Sequence, residues 1–185
     1  MDISTTKSAL HTLDIRDRAF YGWSAAFIIG NLALPQLCHL ASMGGKAFLP
    51  IYFFTLIGAY RCGWKVGVLT ALASPLLNSL LFGMPAPEVL TPIVVKSLLI
   101  AALTPLIVRH CKGYVLPALL LIVGGYQLLG GLFEWAWTGS LSAAVQDIRL
   151  GWPGMVFQVV GGWLILLALG KNNPETPNDT ATPAQ

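Results

Sequence analysis

Residues 91–105 read TPIVVKSLLIAALTP, an apolar run interrupted by one lysine, Lys96. With its neighbours the run is long enough for a membrane-spanning helix, which needs about 20 mostly apolar residues. A charged side chain at the centre of such a helix costs about 2.5–3.5 kcal/mol on insertion scales. The environment of Lys96 is therefore the central question that this sequence raises.

The composition extends the membrane interpretation to the whole chain. Of its 185 residues, 55% are hydrophobic and 10% are charged, whereas soluble domains carry about 25% charged residues. The mean hydropathy is +0.69. We therefore expect an all-α integral membrane protein. Its formal net charge of +3 is spread over short loops and forms no patch, which does not favour nucleic-acid binding.

Six segments are predicted to span the membrane, the second of them short. They lie near 18–38, 47–60, 64–83, 89–108, 114–133 and 152–170. The sequence thus predicts one six-helix transmembrane domain over 18–170, after a polar N-terminal segment at 1–17. A polar, proline-rich tail at 171–185 is expected to be disordered. The N-terminal segment lacks the apolar core of a cleavable signal peptide.

Lysine and arginine are distributed unevenly between the two ends of these segments, and the richer side is expected to be cytoplasmic. Eight of the eleven lie on one side, namely Lys7, Arg16, Arg18, Arg61, Lys65, Arg109, Lys112 and Lys171. Lys46 and Arg149 lie on the other side. Six spans in the cell (inner) membrane then leave both termini in the cytoplasm, with the longer loops near 39–46, 84–88 and 134–151 outside.

The strongly polar side chains within the spans fall at a similar depth, in the outer half, at about 1.5 Å of rise per residue. They are Asn31, Tyr52, Asn78, Lys96, Gln127 and Gln158. Because lipid cannot hydrogen-bond such groups, they face each other, water or a ligand. Their clustering favours a pocket open to the outside, whereas each Asn or Gln taken alone can instead bond a neighbouring helix.

Three environments for Lys96 stay open at this point. It can pair with an anionic group of a ligand, such as a carboxylate or a phosphate. Its long side chain can instead extend toward the membrane interface, or it can form a structural ion pair with Glu88 or Glu134. Under the first alternative, the candidate substrate-binding residues are Lys96, Asn78, Tyr52, Gln127 and Gln158.

Two tryptophans near the outer end of the fifth span are further candidates. Trp135 and Trp137 can stack on a flat, ring-bearing ligand at the entrance of the pocket. The alternative is a place in the aromatic belt that membrane proteins have at the lipid interface.

Small residues recur every four positions in the first span, at Gly22, Ala26 and Gly30. Such a stripe lets another helix approach closely. It can serve packing inside the bundle, or it can dock a partner membrane protein.

The sequence lacks the motifs of several enzyme classes. It contains no GxxxxGK[ST] phosphate loop, no HExxH and no GxSxG. The three cysteines are scattered and form no CxxC, so we expect free thiols and no metal site. We expect no catalytic residues, no cofactor and no enzymatic activity in this chain. A membrane enzyme acting on lipid or quinone, with Glu134 or His39 as acid–base group, is the disfavoured alternative.

One stretch has an order of residues that is more informative than its composition. Residues 45–85 read GKAFLPIYFFTLIGAYRCGWKVGVLTALASPLLNSLLFGMP. A proline and a short apolar span lead into a tight basic turn, then a Gly-containing span with a Ser-Pro-Leu-Leu element and a closing Gly-Met-Pro. These elements are Pro50, Gly58, the turn 61–65, Gly67, 74–77 and 83–85. The stretch resembles the substrate-binding S components of energy-coupling factor (ECF) transporters, which are ATP-binding cassette (ABC) importers.

The resemblance implies a six-helix membrane protein that captures a vitamin or a related micronutrient from outside. It implies docking to a transmembrane coupling subunit through the first helix, and two ATPase subunits that supply the energy. The matching docking positions here are Gly22, Ala26 and Gly30. Many members carry a histidine after the proline, where this chain has Pro50-Ile51-Tyr52. The alternative function is an autonomous small-molecule permease that works without ATPase partners.

Overall fold

The computed structural model describes residues 12–40, 50–111 and 114–171. Within them the chain is all-helical, with six α-helices, one 3₁₀ turn and no strand. The elements are α1 Arg18–Leu40, the 3₁₀ turn Pro50–Tyr52, α2 Phe53–Cys62, α3 Trp64–Phe82, α4 Pro87–His110, α5 Val115–Thr138 and α6 Leu141–Lys171. Residues 1–11, 41–49, 112–113 and 172–185 lie outside the described residues; they include all of the predicted tail except Lys171, which ends α6.

Four helices are long and apolar enough to cross a membrane. They are α3, α4, α5 and the part of α6 from Ile148 to Leu169. Large apolar side chains cover the outer surface of the bundle; Leu80, for instance, is 81% exposed. The chain is therefore a membrane protein. Helix α2 has 10 residues and is about 15 Å long, half of a hydrocarbon core of about 30 Å.

Short connections make neighbouring helices antiparallel. Gly63 alone separates α2 from α3, and its φ of 91° is one that glycine adopts without strain. Gly139 ends α5 in the left-handed conformation, and its N–H donates to Trp135 O at 2.8 Å. We call the end of the bundle with the α2–α3 and α4–α5 turns the proximal end. The end with the α3–α4 and α5–α6 turns is the distal end.

The short helix α2 occupies the centre of the bundle. Nearly all its side chains are buried, and it contacts α1, α3, α4 and α6. Close approach depends on small residues: a Cβ at Gly67 of α3 would lie 2.7 Å from Ala59 Cβ and 3.2 Å from Ala101 Cβ. These three residues bring α2, α3 and α4 together, which the apolar content of the helices would not achieve by itself.

The segment before α1 is attached to the proximal end. Leu13 is buried, and its N–H donates to Cys62 O at 3.1 Å. Lys65 Nζ forms an ion pair with Asp14 Oδ1 at 2.9 Å. The described part of the predicted N-terminal segment, residues 12–17, thus packs on the α2–α3 turn.

The structure differs from the sequence prediction around residues 134–151, which were expected to form a long loop. Instead α5 continues to Thr138, and α6 begins at Leu141. The prediction stopped each span at its charged or polar residues, such as Arg149. Those residues end an apolar run, but they are compatible with a helix, because helix propensity does not depend on hydropathy.

Candidate functional site

Side-chain contacts at three places link buried polar residues of different elements in the described part of the chain. One lies between α1, α2 and α3 around Asn31. A second joins Tyr52, Tyr126 and Gln158. The third is the ion pair of Lys96 and Glu134, between α4 and α5. Of the polar residues predicted to share one pocket, Asn78 bonds toward α1 and Lys96 toward α5.

The first group holds helices together. Asn31 Nδ2 donates to Thr55 Oγ1 at 2.9 Å and to Ser74 Oγ at 3.1 Å. Its Oδ1 accepts from the N–H of Phe54 at 3.0 Å. The first N–H groups of a helix lack intrahelical partners, so Asn31 of α1 caps the start of α2. One side chain thereby fixes three helices, the helix–helix role that is common for asparagine in membrane bundles.

Asn78, a predicted substrate-binding residue, adjoins this group. It is buried on α3, and its Oδ1 lies 3.5 Å from Gln36 Nε2 of α1, a long hydrogen bond. Gln36 and Asn78 lie on the distal side of Asn31 and Ser74. They extend the polar line between α1 and α3 toward the distal end.

The second group connects the 3₁₀ turn to α5 and α6. Tyr126 Oη donates to Gln158 Oε1 at 2.8 Å. The rings of Tyr126 and Tyr52 lie 5.4 Å apart between centroids, within the range of favourable aromatic pairs. All three side chains are buried. Two of them, Tyr52 and Gln158, were predicted from the sequence, whereas Tyr126 was not.

The third group contains the residue that opened the sequence analysis. Lys96 Nζ donates to Glu134 Oε2 at 2.6 Å, and the side chains are 3% and 15% exposed. Of the three environments considered for Lys96, the structure contains the ion pair with Glu134. Lys96 lies about 14 Å along α4 from Pro87, at about 1.5 Å per residue. The pair is thus well inside the distal half of the bundle.

Gly130 of α5 makes room for the lysine. A Cβ at this position would lie 3.0 Å from Lys96 Cε and 3.2 Å from Cδ, and closer still to Cγ. The aliphatic chain of Lys96 therefore lies flat on the backbone of α5 at Gly130. This contact directs the ammonium toward Glu134, one turn further along the same helix.

Two buried polar groups on α4 and α5 have no partner in the described part of the chain. They are Ser97 Oγ, next to Lys96 on α4, and Gln127 Nε2, one turn before Gly130 on α5. Both residues are buried, with Gln127 4% exposed. By contrast, Thr104 Oγ1 donates to the carbonyl of Ile100 one turn back. Since buried polar groups are normally hydrogen-bonded, the α4–α5 contact has unused capacity for a ligand or water.

We call Lys96, Ser97, Gln127, Gly130 and Glu134 the α4–α5 site. It has a cation, an anion, a hydroxyl and an amide, all in a region of low dielectric constant. Each charge there interacts strongly with its partner, and an unpaired charge is costly. Intramembrane ionisable residues commonly mark the paths of substrates or ions. The arrangement can bind a charged solute, but the described residues contain no nucleophile–base pair within it.

The two predicted tryptophans stand at the distal end of α5, next to Glu134. Trp135 and Trp137 are both exposed, and the ring of Trp137 stacks on Phe133 at 5.9 Å between centroids. Neither ring is enclosed by the described bundle. This exposure is typical of residues in an interfacial aromatic belt, and stacking on a ligand stays a prediction.

The members of the small-residue stripe of α1 do not all face the same surroundings. Gly22 and Ala26 are exposed, and a Cβ at Gly22 would meet nothing within 4 Å. A Cβ at Gly30 would lie 2.7–2.9 Å from the ring of Phe54, so Gly30 serves packing inside the bundle. Four residues turn a helix by about 400°, which moves each successive member about 40° around the axis.

Among the described residues, no three His, Cys, Asp or Glu side chains come together. Cys38, Cys62 and Cys111 are free thiols. The side chain of His39, the disfavoured acid–base candidate, lies outside the described residues.

Two residues of the α4–α5 site were not predicted as site residues, namely Ser97 and Gly130. Glu134 was considered as a possible partner of Lys96 and, in the disfavoured enzyme alternative, as an acid–base group, but not as a binding residue. A usable signal was present in α5, because Gln127, Gly130 and Glu134 recur at the three- and four-residue spacing of one helix face.

Comparison of the chain with protein-family models, with curated proteins and with solved structures finds no match.

Proposed function

We propose that the chain binds a small solute at the α4–α5 site and passes it across the cell membrane as the substrate-binding subunit of an ECF-type importer. The observation that carries the proposal is the buried pair of Lys96 and Glu134, with unpartnered Ser97 Oγ and Gln127 Nε2 on the same two helices. A site with charges and unused hydrogen-bonding groups in an apolar bundle suits a polar ligand.

The charge distribution supports a six-span topology in which the distal end faces outward and both termini are cytoplasmic. Most described basic residues near the helix ends lie at the proximal end, at Arg16, Arg18, Arg61, Lys65 and Arg109, whereas Arg149 lies near the distal end. This is the bias of cytoplasmic loops. The α4–α5 site then lies in the outer half, where a solute from outside would arrive. In this topology α1 and the short α2 complete the six spans.

Partner subunits would drive the inward step, since the sequence carries no phosphate loop. The exposed part of the α1 stripe, Gly22 and Ala26, is the surface that we propose for docking the transmembrane coupling subunit. Two ATPase subunits would bind that subunit. The ligand that fits the resemblance is a vitamin or a similar micronutrient.

Native mass spectrometry of the purified protein tests this function. Wild type, Lys96→Met and the control Ser24→Ala would be expressed in rich medium and compared for bound small molecules. We expect a bound mass in wild type and in Ser24→Ala that is lost in Lys96→Met. A solute retained equally by all three proteins would contradict the placement of the ligand at Lys96.

An autonomous permease is the second candidate, and the same ion pair favours it. Ionisable pairs inside membranes occur in proton and ion relays of transporters that need no ATPase. Uptake of the co-purified solute by liposomes that contain this chain alone would select this candidate. Uptake only after addition of the coupling and ATPase subunits would select the importer.

A further inference from the structure

The α4–α5 site holds two opposite charges, and this restricts the net charge of its ligand. We propose that the ligand is a zwitterion, whose anionic group binds Lys96 Nζ and whose cationic group binds Glu134. The inference rests on the proposed function, because it assumes that a solute enters this site. It differs from the sequence-based expectation of a simply anionic ligand.

Charge balance within the membrane is the first argument. An anion that displaces Glu134 from Lys96 leaves the carboxylate without its lysine partner in a region of low dielectric constant, where a lone charge is strongly disfavoured. A cation that displaces Lys96 takes the carboxylate partner away from the ammonium. A zwitterion gives each protein charge a new partner, so that the site stays neutral before and after binding.

The surroundings of the pair support this argument. Among the described residues, Lys96 is the only Lys, Arg, Asp or Glu that is buried. Glu88 and Arg149, the other charged residues near the distal end with described side chains, are exposed. Neither is available inside the bundle to neutralise a stranded charge. A ligand that carries both charges supplies this compensation.

The geometry shows how the pair can open. Glu134 lies one turn before the end of α5 at Thr138 and is 15% exposed. Its carboxylate can move toward the distal end by a change of side-chain rotamer. Lys96 is restricted on one side by Gly130, against which its methylenes lie. Separation of the pair would open space beside Gly130, with Ser97 and Gln127 supplying further hydrogen bonds to the ligand.

Equilibrium dialysis with matched probes tests the proposal. The detergent-solubilised protein would be dialysed against an equimolar mixture of free α-amino acids, their deaminated carboxylic acids and their decarboxylated amines. Mass spectrometry would quantify what the protein retains. We expect wild type to retain amino acids at least tenfold over the acids and the amines. Glu134→Gln should shift the preference toward acids, and Lys96→Met should shift it toward amines.

A double variant without either charge controls for misfolding, because each single substitution removes one charge of the pair and leaves the other in place. The double variant Lys96→Met/Glu134→Gln carries neither charge and should retain none of the three classes, while Gly131→Ala should behave as wild type. Wild type that prefers acids or amines would overturn the zwitterion and leave the proposed function standing. Wild type that retains none of the probes would also overturn the zwitterion, and native mass spectrometry of the same protein decides the proposed function separately.

Discussion

Lys96 and Glu134 join α4 to α5 through a 2.6 Å bond between Nζ and Oε2, although 38 residues separate them along the chain. The lysine reaches its partner by lying across Gly130, the position on α5 where a side chain would block it. The lysine, which would be costly as a lone charge within a membrane-spanning helix, is thus one half of a pair with no net charge. The following predictions test what this pair and its surroundings contribute.

Removal of one partner should destabilise the protein more than removal of both. Lys96→Met leaves the Glu134 carboxylate unpaired, and the loss of one member of a buried pair costs about 3–5 kcal/mol. Lys96→Met/Glu134→Gln should recover most of this loss, because apolar or neutral replacements of a buried pair are often nearly neutral. Unfolding in mixed micelles, followed by circular dichroism, would give the four free energies of the double-mutant cycle.

Additive effects of the two substitutions would contradict this prediction. They would mean that the two side chains do not interact in the folded protein. The cycle is needed because either single variant also removes contacts unrelated to the pair.

Gly130→Ala should disturb the pair, and Gly131→Ala should not. A methyl group at Gly130 would overlap the Lys96 chain, whereas one at Gly131 would meet nothing within 4 Å. Overpacking typically costs about 1–3 kcal/mol. Gly131→Ala should be neutral or stabilising by up to about 1 kcal/mol, because alanine favours helices over glycine. Equal melting temperatures for the two variants would argue against the observed position of Lys96.

Asn31→Ala should destabilise the packing of α1 on α2 and α3. The substitution removes the acceptor of the Phe54 N–H and the donor to Thr55 and Ser74. A buried polar group left without a partner costs about 1–3 kcal/mol, so we expect at least that loss in chemical unfolding.

Ser24→Ala is the matched control on the same helix. Ser24 is also buried, but its Oγ has no partner in the described residues. Its removal should therefore change stability little or raise it. A loss as large as that of Asn31→Ala would show that burial alone, and not the hydrogen bonds, determines the effect.

The proximal ion pair should be visible in the titration of Asp14. The hydrogen bond from Lys65, followed by that from the Ile15 N–H, lowers the pKa of Asp14 below its usual value of 3.8. Since the folded pKa is below the unfolded one, this pair stabilises the protein above about pH 4, and the contribution is lost as the pH falls through the folded pKa. Asp14 is exposed, so solvent screening keeps the effect small.

Carboxyl NMR of selectively labelled protein would measure that pKa. Lys65→Met should return the pKa of Asp14 toward 3.8, whereas Lys65→Arg, which keeps a donor and a charge, should not. An unchanged pKa in Lys65→Met would mean that the ion pair is absent in solution.

Helices that coincide with a continuous apolar run were predictable from the sequence. The third and fourth predicted spans, 64–83 and 89–108, match α3 at Trp64–Phe82 and α4 at Pro87–His110 within about two residues at either end. The start of α6 was not predictable from hydropathy. Its first turns contain polar residues, which remain helical without being apolar.

The polar residues of the site and their depth were predictable from the sequence. Which of them contact each other was not. Asn78 and Lys96 lie at comparable depths on adjacent helices, yet Asn78 bonds toward α1 and Lys96 toward α5. Depth follows from position along a helix. The direction of a side chain depends on how each helix is rotated about its axis, and hydropathy does not specify that rotation when a helix is apolar on every side.

The sequence by itself determined that this chain is a helical membrane protein, because burial in lipid requires long apolar helices with internally satisfied backbones. It also placed one lysine within the distal half of α4. Only the tertiary structure decided that this lysine meets Glu134. That contact requires the register of α4 against α5 and the absence of a side chain at Gly130, and both are properties of two helices packed together.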